Sequence, residues 1–220
     1  MAKNPVQPVA LSLRERKAAL TRLGLLDAMV RRLRKQTLDE ITVKELCSDV
    51  GISEPTFFNH FKSKHELLVL YVRLWSVEMK NAMDVPGATA LESLKRLFVL
   101  TARATATLPR LMKEIISYQL KYPIAAKTGA PTRAELLLRF PSIGNVEHPR
   151  PFSIRSLIRE AFDRAVQRGE LPRSKELETA VSVLSALFFG VPALNVDAPL
   201  AEEIYLSGLG SLWRGIGGRR

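Results

Sequence analysis

The segment that most constrains this 220-residue chain is residues 42–61, TVKELCSDVGISEPTFFNHF. Thr42-Val43-Lys44-Glu45 has the form of a capping box, in which the Thr hydroxyl accepts from the third helical N–H and Glu45 reaches back. It opens a short helix running to about Val50. Gly51 takes the positive φ that a helix C-terminus favours, and Ser53 caps a second short helix with Pro55 in its first turn. Val43, Leu46 and Val50 face inward from the first helix, Ile52 plugs the turn, and Phe57 and Phe61 bury one face of the second at i, i+4. Cys47 fills a slot where two helices cross closely and a small side chain is needed. This is helix–turn–helix spacing. Glu54, Pro55, Thr56, Asn59 and His60 remain on or near the exposed face, where base edges of a major groove come within reach.

The flanking sequence extends the helical pattern. Ser12-Leu13-Arg14-Glu15 is a capping box for a helix to about Lys35, with Leu20, Leu23, Leu26, Val30 and Leu33 as its apolar stripe. Ser63-Lys64-His65-Glu66 has the same form and precedes a long helix through Leu67, Leu70, Leu74 and Met79. Pro86-Gly87 marks a boundary, and further helices are expected at about 88–107, 109–122, 131–140, 153–168, 173–191 and 199–214. Residues 141–151 read as a long loop. No stretch alternates strictly enough to be a strand, so the chain is expected to be all-α. The pattern divides it into a basic arm (1–11), a three-helix helix–turn–helix domain (12–66), a helical domain (67–216) and a frayed tail (217–220).

Charge and composition narrow the function. The formal net charge is +11, with 33 Lys and Arg against 22 Asp and Glu. Nine basic and two acidic residues fall in 1–35, while 36–80 carries a net −2, so the excess does not lie on the helix–turn–helix itself. Such an excess favours a polyanionic partner, nucleic acid first. Uninterrupted apolar runs are short, so neither a membrane span nor a secretory signal is expected, and the protein reads as cytoplasmic. A lone cysteine, Cys47, excludes an internal disulfide. Nucleotide-binding, hydrolase and zincin fingerprints are missing, and His60, His65 and His148 are not at metal-ligand spacing. No enzyme activity, cofactor or metal is expected.

Residues 22–70 resemble the DNA-binding domain of the TetR family of bacterial transcription regulators. The likeness rests on Leu25-Leu26-x-Ala28, Thr42-Val43-x-x-Leu46-Cys47, Gly51-Ile52-Ser53, Thr56-Phe57-Phe58-x-His60-Phe61, Lys64 and Leu67-Leu68. Three positions depart from the pattern. Phe58 stands where Tyr is usual, which removes a hydroxyl that would meet a phosphate. Thr37 replaces a Gly in the loop after the first helix, and Cys47 replaces a nearly isosteric Ala.

The resemblance implies a role for each matching position. Thr42 would bond a phosphate and Lys44 would face the DNA backbone. Ser53, Glu54, Pro55, Thr56 and Asn59 would face the major groove, with Phe58 serving by packing. His60 and Lys62 would flank the groove, and Lys64 would hold a phosphate. It further implies a homodimer on a palindromic double-stranded operator, acting as a repressor released by a small-molecule effector. The alternative is a DNA-binding regulator controlled by a protein partner.

In the second domain the resemblance assigns the last two helices to a four-helix dimer bundle. Val181, Leu184, Leu187 and Phe188 would contribute from one, and Leu206, Leu209 and Trp213 from the other. The same stripes would equally suit the core of one chain. Trp75, Met79, Phe98, Arg103, Tyr118 and Tyr122 lie on helices that line the cavity in relatives, although such side chains also serve as ordinary core.

Overall fold

The computed structural model describes residues 11–122, 130–141 and 153–217. The arm at 1–10, the loop at 142–152 and the tail at 218–220 lie outside the described residues. Ten helices and no strand occur among those described: α1 (Leu13–Arg32), α2 (Val43–Val50), α3 (Glu54–His60), α4 (His65–Met83), α5 (Ala90–Thr107), α6 (Pro109–Lys121), α7 (Arg133–Arg139), α8 (Ile154–Gln167), α9 (Glu176–Ala193) and α10 (Ala198–Gly215). The all-α expectation holds.

Local capping explains most boundaries. Reciprocal capping boxes form at Ser12/Glu15, Thr42/Glu45, Thr89/Glu92 and Thr132/Glu135. Gly51 closes α2 in the left-handed conformation at φ 72°, ψ 38°. The expected box at Ser63 does not form. Instead α4 begins one residue later with Lys64 at its N-cap, and Glu66 Oε2 accepts from the Lys62 N–H at 2.9 Å. Leu20, expected on the apolar stripe of α1, is exposed, and Leu25, Ala28 and Met29 are buried in its place. Thr37 needs no glycine-like backbone: its N–H and hydroxyl both bond Glu40, and Asn195 is the only described non-glycine residue with positive φ.

Two apolar cores sit end to end. One joins α1–α3 to the first half of α4 and to Leu111, Met112 and Ile115 of α6 and Leu136 of α7. The other joins the end of α4 to α5, α8, α9 and α10. Its centre stacks Phe98 on Tyr205 at 4.9 Å and Phe162 on Trp213 at 5.9 Å. The Tyr205 hydroxyl donates to the Phe188 carbonyl at 2.9 Å, and burial pushes its phenol pKa up. Helix α4 runs through both cores, so the division at residue 66 falls inside a continuous packed element.

The last two helices correct the sequence reading. Val181, Leu184, Phe188, Leu209 and Trp213 are buried inside the single chain, because α9 and α10 turn these residues onto α5 and α8. Leu187 and Leu206 alone of that set stay partly open. The free faces of the two helices carry Val183, Ala186 and Gly190 beside Leu187, and Glu203, Ser207 and Gly210 beside Leu206. Helix α9 is 18 residues long with mean hydropathy 1.3, enough by length and composition to cross a membrane. Counting only uninterrupted apolar runs missed this, because Ser182, Ser185 and Gly190 break the run without making the helix polar.

Candidate nucleic-acid interface and candidate effector cavity

The helix–turn–helix is held from behind, leaving one face open. Leu46 and Phe57 are fully buried and Phe61 nearly so, which fixes α2 and α3 to α1 and α4. Arg32 ties α1 to α2 with a two-pronged bond: Nε and Nη2 donate to Asp49 at 2.7 and 2.9 Å, and Nη1 donates to Glu45 at 2.9 Å. The guanidinium holds the Asp49 carboxyl below its ordinary range. The Cys47 thiol is pushed up by burial, with Glu54 adding to the effect, so it is a packing group and not a nucleophile.

On the open side the structure brings together Thr42, Lys44, Ser53, Glu54, Pro55, Phe58, Asn59 and Lys62, all exposed, with Thr56 and His60 half-buried. The Ser53 and Thr56 hydroxyls bond each other at 2.9 Å, so the α3 N-terminus is internally satisfied. Thr42 Oγ1 is likewise occupied by Glu45. Phe58 is 54% exposed and meets Phe57 edge-on at 5.3 Å. A large ring standing in solvent on a helix face has no role in the core. Burial, with the Arg22 cation beside it, holds the His60 imidazole below its ordinary value.

Lys64 also has a structural role. Its Nζ donates to the Asp39 carbonyl at 3.0 Å and the Ile41 carbonyl at 2.8 Å, so two of its three donors brace the α1–α2 connection.

Sequence reasoning missed the contacts that tie this face to the second domain. Arg22 Nε donates to Glu135 of α7 at 2.7 Å, Nη1 donates to the His60 carbonyl at 2.7 Å, and the guanidinium lies 4.2 Å from the Phe61 ring centre. Arg139 of α7 pairs with Asp27 of α1. From α6, Glu114 accepts from the Leu38 N–H at 2.9 Å, Arg110 donates to the Lys35 carbonyl, and Tyr118 stacks on His65 at 5.7 Å. Separations of 113 residues for Arg22–Glu135 and 76 for Leu38–Glu114 leave no local trace in the sequence.

A cavity of about 70 Å³ lies between α4, α6, the start of α8 and the end of α9. Tyr71, Trp75, Met112 and Ile115 form apolar wall on α4 and α6, and Ile154, Phe188 and Phe189 close it from α8 and α9. Arg73, Ser76, Gln119 and Ser153 supply its polar groups. The Gln119 Oε1 atom is buried without a hydrogen-bond partner.

Of the six candidate ligand residues, Trp75 alone lines this space. Met79 and Phe98 belong to the core, the Tyr118 and Tyr122 rings meet at a tilt with centres 5.2 Å apart at the α6 C-terminal end, and Arg103 is exposed on α5 beside a shallow surface hollow with Glu202 and Glu203. Helix α5 contributes nothing to this cavity, and which face of α4 and α6 turns toward it depends on the neighbouring helices. No group of His, Cys, Asp and Glu able to hold a metal occurs among the described residues.

Known proteins resemble this arrangement. Residues 25–70 match the family model for bacterial regulatory proteins of the tetR family. No curated protein sequence matches the chain. Among solved structures, Thermus thermophilus FadR, a TetR-family transcriptional repressor bound to lauroyl-CoA, is 20% identical with a TM-score of 0.63, covering 90% of this chain and 96% of its own. Salmonella enterica GusR is 18% identical at TM-score 0.59, covering 89% and 95%. RolR, in complex with resorcinol, is 15% identical at 0.57, covering 92% and 90%. Residues 25–70 thus match the DNA-binding domain of bacterial regulatory proteins of the tetR family, and the chain as a whole shares the all-helical fold of these solved structures.

Proposed function

We propose that the protein is a transcriptional repressor that binds a palindromic operator as a homodimer and lets go when a small molecule enters the cavity. The observation that carries this reading is the position of α6. Arg110, Glu114 and Tyr118 grip the DNA-binding domain, while Met112, Ile115 and Gln119 of the same helix line the cavity. A ligand that fits only one placement of α6 therefore biases the placement of the helix–turn–helix, by as much as its affinity differs between the two. FadR and RolR, solved with lauroyl-CoA and resorcinol, support an effector of this kind. A cavity reaching Arg73 favours a small molecule over control by a protein partner alone.

In this reading residues 12–66 read DNA and 67–216 sense and dimerise, with α4 shared between them, and the protein acts in the cytoplasm without enzymatic activity. Thr56 and Asn59 meet base edges, with Ser53, Glu54 and Pro55 beside them. Lys44 and Lys62 meet phosphates and His60 flanks the groove, while Thr42 keeps its hydroxyl on Glu45 and orients α2. Lys64 contributes chiefly by bracing the α1–α2 connection. The dimer forms through the outer faces of α9 and α10, around Val183, Leu187, Leu206 and Gly210. That face accounts for an α9 apolar on both sides: one side fills the core and the other meets the partner copy. Two recognition helices then reach successive major grooves, about 34–36 Å apart.

Footprinting on DNA upstream of the protein's own gene tests the reading. It should protect one palindromic site with strong salt dependence. Absence of any specific, salt-sensitive protection would count decisively against it.

A further inference from the structure

We infer that Arg22 is a positioning residue for DNA reading, and that α7 makes the aim of the recognition helix conditional on its own docking. The inference rests on the reading of α3 as the element that meets bases, and adds how its orientation is set.

Helix α3 has only seven residues, Glu54–His60, so few bonds of its own fix where Asn59 points. At its start the Ser53 hydroxyl caps the Thr56 N–H. At its end the chain turns to extended backbone at Phe61, with φ −141° and ψ 133°. The His60 carbonyl, one residue beyond Asn59, accepts there from Arg22 Nη1 at 2.7 Å. The same guanidinium lies over the buried Phe61 ring, so the cation also holds the chain as it leaves α3. Arg22 thereby fastens the end of α3 to α1.

The other edge of the guanidinium is fastened to α7. Nε donates to Glu135 Oε1 at 2.7 Å, while Glu135 Oε2 accepts from the Thr132 N–H at 2.6 Å within the α7 capping box. Each carboxylate oxygen has its own task, and the side chain is fully buried. Helix α7 follows α6 in the chain yet packs on the core of the DNA-binding domain. Leu136 belongs to that core, and Arg139 pairs with Asp27 of α1 at 3.0 Å. The guanidinium offers its two acceptors separate nitrogens at a fixed angle, whereas a lysine would serve both from one rotating ammonium. When α7 leaves α1, Glu135 leaves with it. A largely buried cation without its carboxylate then turns toward water, and the His60 carbonyl loses its donor. Docking of α7 and the aim of Asn59 are one equilibrium.

Two measurements on the full chain test this with Arg22→Lys, Glu135→Gln and, as a control, Ile158→Val, a fully buried truncation in the other core. The first compares affinity for the duplex footprinted upstream of the protein's own gene with affinity for a scrambled duplex of equal length. Arg22→Lys and Glu135→Gln should each lower the ratio of the two affinities about ten-fold, the worth of one misaligned base contact. Ile158→Val should leave the ratio unchanged. The second is hydrogen exchange of the Phe61 N–H, which bonds the Phe57 carbonyl at the end of α3. It should quicken about ten-fold in both variants relative to the α2 amides. A ratio that stays constant in both variants, or falls equally in the control, overturns the positioning role and leaves Arg22 a tie of the fold. A loss confined to Arg22→Lys overturns the part assigned to α7. Should Arg22→Lys fail to fold, Glu135→Gln decides, since it matches Glu in size and keeps the Thr132 bond. A protein that binds no duplex specifically overturns the DNA reading, and the exchange rates then decide separately whether α7 anchors the end of α3.

Discussion

Arg22 of α1 and Glu135 of α7 form an ion pair at 2.7 Å whose acidic partner is wholly buried. The same guanidinium holds the carbonyl of His60, the last residue of the recognition helix. One side chain thereby joins α7 to the C-terminus of α3. Glu135→Ala strands a largely buried cation and removes the α7 capping box, and is expected to cost about 3 kcal/mol, or roughly 6–12 °C in Tm. Glu135→Gln retains the bond to the Thr132 N–H and should recover part of the loss. Urea titration of the two variants gives the comparison, and an unchanged midpoint for the alanine variant would show that the pair contributes nothing.

Asn59 and Lys44 should differ in kind. Asn59→Ala is expected to relax preference at one base pair by about 1–3 kcal/mol. Lys44→Ala should weaken all sequences alike and flatten the salt dependence by about one unit of slope per site lost. Lys64→Ala should lower stability together with DNA affinity, because two of its donors brace the Asp39 and Ile41 carbonyls. Binding measured on matched and mismatched duplexes at three salt concentrations separates these cases. Parallel losses for Asn59→Ala and Lys44→Ala would undo the division of contacts.

Phe58→Tyr adds one hydroxyl to a ring that is 54% exposed. The fold should not register it, with Tm unchanged within about 1 °C. Affinity for DNA should rise several-fold irrespective of sequence, since the new donor meets a phosphate and not a base. A rise confined to one sequence would place the ring in the groove instead.

His60 carries a pH dependence with a definite sign. Its folded pKa lies below the ordinary 6.5, through burial first and the Arg22 charge second. Below 6.5 the unfolded chain binds this proton more readily than the folded one, so stability falls as pH drops through that range and is complete above it. The urea midpoint should therefore fall less for His60→Gln than for the unmodified protein between pH 7.5 and 5.5. Identical slopes would remove His60 from the account.

Val183 and Leu184 are neighbours on α9 with opposite surroundings. Leu184 is fully buried, and Leu184→Ala should cost about 2–5 kcal/mol. Val183 is 47% exposed on the face assigned to the second copy. Val183→Glu should leave helicity intact while light scattering reports the mass of one chain. A dimer that survives this substitution would move the interface elsewhere.

The parts of the protein legible in its sequence are those whose cause is local. Capping pairs three residues apart, the left-handed Gly51 and the Phe57/Phe61 spacing act within one or two helical turns, and the helix–turn–helix they define is present as expected. The Ser63 box failed for a local reason of its own, since Glu66 reaches the Lys62 N–H instead.

Facing is another matter. A helical stripe records that a side is apolar, and says nothing of what covers it. Helix α9 is apolar nearly all round, so Val181, Leu184 and Phe188 could be assigned inward only once α5, α8 and α10 stood against them. The cavity follows the same rule: Arg73 and Gln119 sit 46 positions apart on α4 and α6, and nothing in either segment announces that they share a void. The basic excess was visible in composition, yet Arg22 and Arg32 prove to be internal ties, because each found carboxylates brought near by packing. Sequence alone determined which segments are helices and which short pair forms the helix–turn–helix, because those depend on contacts within a few residues. Tertiary structure decided which side chains are core, which line the cavity and how the two domains touch, because those depend on residues that meet only after the chain has folded.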